Sequence, residues 1–90
     1  MTTSKDRQRV DAFRAWIVLI GGLDAAHRHT AIALRSLERM RAGHKPPPVR
    51  LLDRAADDIE RADWGVRQPL ANSVAFQLRT AAKPMEATDA

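Results

Sequence analysis

Three breaks in the chain set what it can fold into: Gly21-Gly22, the stretch from Gly43 through Pro46-Pro47-Pro48, and Asp63-Trp64-Gly65 shortly before Pro69. Proline fixes φ and lacks an N–H, and glycine takes the left-handed conformation in which helices end, so a helix can stop at each break but not run through it. Long helices are thereby excluded. Between the breaks the apolar residues recur at steps of three and four, and no alternating strand pattern, internal repeat or low-complexity tract interrupts them.

The first piece predicts a helix on Val10, Phe13, Ile17 and Ile20, with Trp16 widening the stripe, and Thr3 three residues before Asp6 gives it a capping-box-like start. Leu23 to Gly43 has an uneven stripe and reads as two short helices, the first burying Ala26, Thr30 and Ile32 and the second Leu37 and Met40. Pro48 can sit in the first turn of a fourth helix with Leu52, Ala55, Ala56, Ile59 and Ala62 inward. Its other face is charged, with Asp53, Arg54, Asp57, Asp58, Glu60 and Arg61. Pro69 opens a last helix with Leu70, Val74, Leu78 and Ala81 on one side and Phe76 pointing elsewhere. The expected fold is all-α, a compact bundle of about five short helices forming one domain over 1–83, with 84–90 as a flexible tail.

Ninety residues allow one small core and no second domain, and such a chain buries only about 60% of its unfolded surface. A hydrophobic content of 44% and a charged content of 29% are those of a folding globular chain. With no cysteine, neither a disulfide nor a Cys-based zinc site can staple it, which leaves the core and a partner subunit as sources of stability. The apolar run from Ala15 to Leu23 is far shorter than the roughly 20 residues of a membrane span, and no secretory-signal pattern is present. A cytoplasmic location is expected.

The net charge of +4 is unevenly placed. Residues 1–50 carry ten basic side chains against four acidic ones, and residues 51–90 carry five against seven. Six of the basic residues (Arg28, Arg35, Arg39, Arg41, Lys45 and Arg50) and two histidines (His29 and His44) fall between Arg28 and Arg50 with Glu38 as the one acid. That is the charge pattern of a polyanion-binding face, and equally of a solvated basic surface.

Leu23 to Ala42 can be aligned as a twenty-residue unit in which the fourth, eighth, tenth, fifteenth and eighteenth positions are Ala26, Thr30, Ile32, Leu37 and Met40. With Gly43, the Pro-containing loop and a further helix after it, the unit resembles the helix-turn-helix of phage-repressor-type DNA-binding proteins, small regulators of phages, plasmids and mobile elements. Those five positions are buried in that family. Three positions depart from its pattern: the turn residue, usually glycine, is Ala31; the fifth, usually small, is His27; and the cap of the second helix, usually Ser or Thr, is Ala33.

The resemblance implies a helix-turn-helix at 23–42 whose second helix enters the major groove. Base contacts would then come from Ala33, Leu34, Arg35, Glu38 and Arg39: the arginines bidentate to guanine, Ala33 and Leu34 on thymine methyls, Glu38 to a cytosine amino group or to a neighbouring arginine. Arg28, Ser36, Arg41, His44, Lys45 and Arg50 would contact phosphate. Family members double their contacts by two-fold symmetry, which implies a homodimer on a palindromic operator. The helix at 69–82 is the expected dimer element, with Trp64, Leu70, Val74, Phe76 and Leu78 at the interface and recognition helices about 34 Å apart.

Other chemistries find no support in the residues. His27 and His29 point apart on a helix with no acid completing a metal set; no serine sits in a glycine-flanked elbow; no glycine-rich phosphate loop occurs. No enzyme activity, cofactor, metal or small-molecule ligand is expected. The expected function is a sequence-specific DNA-binding regulator, a dimeric repressor acting by operator occlusion. The competing reading is a small helical interaction module or inhibitor of phage type that binds a host protein complex.

Overall fold

The computed structural model describes residues 4–83. Thr3, with its capping spacing, and the 84–90 tail lie outside them. Five helices follow one another: α1 (Ser4–Ile20), α2 (Leu23–Thr30), α3 (Leu34–Ala42), α4 (Val49–Arg61) and α5 (Gln68–Ala82), with a 3-10 turn at Gly65–Arg67 ahead of α5. Among the described residues all regular structure is helical, and the helices stop at the glycine and proline breaks.

Each break works through backbone chemistry. Gly21 and Gly22 take φ of 100° and 120°, and their N–H groups both bond to the Ile17 carbonyl, at 3.2 and 2.9 Å, which closes α1. In the proline loop Pro48 stands just before α4, its carbonyl accepting from Leu51 and Leu52, while Pro47 is fully buried and fastens the loop to the core.

α4 and α5 form the closest pair. Alanines at 55, 56, 71, 75 and 82 line their buried faces, and Leu52, Ile59, Val74 and Leu78 fill the space between. α1 lies antiparallel to α5: Lys5 Nζ donates to the Thr80 carbonyl at 3.0 Å at one end, and Arg67 donates to the Leu19 carbonyl at 3.2 Å at the other. Phe13 and Trp16 enter the core from α1 with ring centroids 5.8 Å apart. Burial of each large side chain contributes about 1.5–3 kcal/mol. Leu37 and Met40 of α3 and Ala26 of α2 complete the cluster.

Two inward positions differ from expectation. α4 ends at Arg61, so Ala62 is extended and exposed. Leu70 is half-exposed, because the buried face of α5 centres on Ala71, Val74, Ala75, Leu78 and Ala82 and leaves it at the margin.

Candidate nucleic-acid interface

The α2–turn–α3 unit is held by its buried side. Ala26, Leu37 and Met40 lie in the core and Thr30 and Ile32 are half-buried. The turn is closed by side chains: Thr30 Oγ1 donates to the Ala26 carbonyl at 2.8 Å and accepts from the Ile32 N–H at 3.2 Å. Ala31 sits in the left-handed region at φ 62°, the conformation for which glycine is the usual choice. His27 does not wedge the two helices apart. Its ring is exposed, and Nδ1 lies 2.6 Å from the Ile32 carbonyl. Because that partner can only accept, Nδ1 carries the proton. Ala33 stands at the N-cap of α3 with no side-chain bond to its amides.

With Leu37 and Met40 turned inward, the opposite side of α3 is open to solvent. Ala33, Leu34, Arg35, Glu38 and Arg39 are all exposed, and Arg35 and Arg39 lie one turn apart on the same face. Of the residues expected at phosphate, Arg28, Arg41, His44, Lys45 and Arg50 are exposed and Ser36 is half-buried. The Arg41 carbonyl at the end of α3 accepts from Arg14 Nε at 2.6 Å, which ties this end to α1. Nothing in the spacing of Arg14 signals that role.

Among the described residues, no ion pair joins an acid of the second half of the chain to these cations. Arg79 of α5 holds Asp53, Asp57 and Glu60 of α4 at 3.3, 2.5 and 2.8 Å. Its hydrogen bond to Asp57 keeps that carboxyl below its ordinary value. The bonds to Glu60 and Asp57 in turn raise the guanidinium. Arg28, Arg35, Arg39, Arg41, Lys45 and Arg50 thus have no carboxylate partner within the described residues, and Glu38 pairs with none of its arginine neighbours. No family model, curated protein or solved structure matches the chain.

The residues expected at a dimer interface divide into two groups. Val74 and Leu78 are core side chains of this chain, 3% and 0% exposed, so a partner cannot touch them. Trp64 is half-buried: its Nε1 donates to the Ile59 carbonyl at 2.9 Å and the Arg67 guanidinium lies 5.8 Å from its ring centre. It therefore joins α4 to α5 within one chain. Leu70 and Phe76 remain available, at 49% and 71% exposure, and Phe76 borders a shallow groove against Gln8, Asp11 and Ala12 of α1. Among the described residues no three His, Cys, Asp or Glu side chains gather at a metal-binding spacing, and no helix is long and apolar enough to cross a membrane.

Proposed function

We propose that the chain is a sequence-specific DNA-binding regulator of the small phage-repressor type, acting as a dimer with α3 in the major groove. The observation that carries this reading is the open face of α3. Two arginines one turn apart, with no carboxylate partner among the described residues, flank Glu38 on a short helix whose other side is fixed in the core. Arginine's planar fork matches the O6/N7 edge of guanine, and the two side chains reach neighbouring base pairs from one helix. Arg28 before the turn, and Arg41, His44 and Lys45 after α3, offer the phosphate contacts that hold such a helix in register.

A single short helix reads few bases, so the reading includes a second copy, met through the exposed Leu70 and Phe76. Occlusion of an operator is the simplest mechanism for a unit of this size: the dimer covers the site and excludes polymerase. The exposed apolar side chains Val18, Val66 and Phe76, at 76%, 98% and 71%, also favour a second reading, a module that binds another protein.

Selection of bound duplexes from a randomised pool separates the two. A DNA regulator enriches one palindromic sequence, and Arg35→Ala loses the preference at one base pair of each half-site. Recovery of a random pool assigns the basic residues to a solvated surface and leaves the protein-binding module.

A further inference from the structure

Where the turn between α2 and α3 meets the first turns of α4, the surface is hollowed into a cavity of about 430 Å³ lined by Thr30, Ile32, Pro48, Arg50, Leu51 and Arg54. Small-molecule sites occupy about 300–1,000 Å³ and are mostly apolar with a few convergent polar groups. Ile32, Pro48 and Leu51 supply the apolar wall, and Leu51 and Ile32 belong to or pack against the core, so that wall is rigid. Arg50 and Arg54 stand one helical turn apart on α4, spaced to converge on one anion. Arg50 has no bonded partner among the described residues, and Arg54 reaches only the His29 carbonyl, at 3.5 Å. The Thr30 hydroxyl is already committed to Ala26 and Ile32. Polar recognition in this cavity therefore falls to two guanidinium groups, and no acid lines it.

We propose that this cavity binds a small amphiphilic carboxylate, an aryl or short-chain alkyl acid, with its hydrocarbon on Ile32, Pro48 and Leu51 and its carboxylate between Arg50 and Arg54. The guanidinium fork matches a planar carboxylate with two parallel bonds. A bare anion would leave the apolar wall unused, whereas each methylene buried there strengthens binding by about fourfold. The site does not depend on whether α3 reads DNA.

The test is a methyl and amide NMR titration of the whole chain, without nucleic acid, using butanoate, hexanoate, octanoate and 2-naphthoate, with octanol and inorganic phosphate as comparators. The expected result is saturable shifts confined to the Ile32 and Leu51 methyls and neighbouring amides, with affinity rising along the alkyl series. The Arg50→Gln/Arg54→Gln double variant should bind octanoate at least about tenfold more weakly, the loss of a charge-assisted hydrogen bond. Its spectrum away from the cavity and its octanol binding should not change. Octanol binding as tightly as octanoate, inorganic phosphate moving the same methyls, or no saturable shift would each overturn the proposal. All three outcomes are read on the unsubstituted protein.

Discussion

Ala31 holds a conformation that costs a Cβ-bearing residue about 1–2 kcal/mol, at φ 62° in the turn between α2 and α3. Ala31→Gly removes that cost and is expected to stabilise the chain by about 1 kcal/mol in urea unfolding; a loss of stability would mean that the turn is not left-handed. Two residues on, Ala33 has the extended backbone of an N-cap, φ −57° and ψ 142°, but no side-chain oxygen. Ala33→Ser should therefore add about 1 kcal/mol by satisfying an amide at the start of α3, and an unchanged urea midpoint would contradict this. Both gains are improvements on residues that depart from the usual helix-turn-helix pattern. The buried positions of the unit were legible in the sequence because Ala26, Leu37 and Met40 follow helical spacing. The accommodation of His27 was not, because it depends on a carbonyl five residues away that only the turn brings to the imidazole. At the proposed DNA interface, Arg35→Ala should cost about 1–3 kcal/mol on the preferred sequence and relax one base position. Lys45→Ala should weaken every duplex alike and reduce the salt slope by about 1. Equal losses on preferred and random DNA for both variants would remove Arg35 from the reading face.

Between elements, the contact most open to manipulation is the Arg79 cluster that ties α5 to α4. Asp57 is held below its ordinary carboxyl value of 3.8 mainly by its hydrogen bond to Arg79. Its ionised form therefore favours the folded chain: the contribution is complete above that ordinary value and fades as pH falls through it toward the lower folded value. Urea midpoints measured from neutral pH down through the carboxylate range should drop at the acid end, and Arg79→Gln should flatten that part of the drop. Parallel curves for the two proteins would show that the cluster adds nothing, the common fate of exposed ion pairs. Helix number and order were readable from Gly21-Gly22, the triple proline and Pro69, since each acts on the backbone of its own neighbourhood. The partners of Arg79 were not readable, because they require the register of α4 against α5, and that is set by which alanines meet across the pair. The same register explains why Leu70, four residues before Val74, falls at the edge of the buried stripe.

For the molecule as a whole, shape and charge bear on the oligomer. The Cα positions span 39 × 30 × 16 Å, and Val18, Leu34, Val66, Leu70 and Phe76 remain exposed on this slab. Of the expected interface residues Leu70 and Phe76 are the most open to a second chain, so Phe76→Ser should shift the sedimentation mass toward the monomer while leaving the thermal midpoint within the range of surface substitutions. A protein that sediments as a monomer both before and after the change would exclude α5 as the dimer element. The charge division has a structural counterpart: three of the acids in the second half of the chain are engaged by Arg79, and among the described residues none pairs with a cation of the Arg28–Arg50 segment. The cations of that segment are exposed on α2, α3, the loop after them and the start of α4, whereas the acids held by Arg79 lie on α4.

Sequence reading by this basic surface, as well as charge attraction, is what the proposed function requires. Fluorescence anisotropy with a duplex from upstream of the protein's own gene, at moderate salt and in excess random competitor, tests it most directly. Nanomolar binding that survives the competitor and is lost in Arg35→Ala is the predicted result. Binding that disappears with competitor or salt, equally for both proteins, would contradict it.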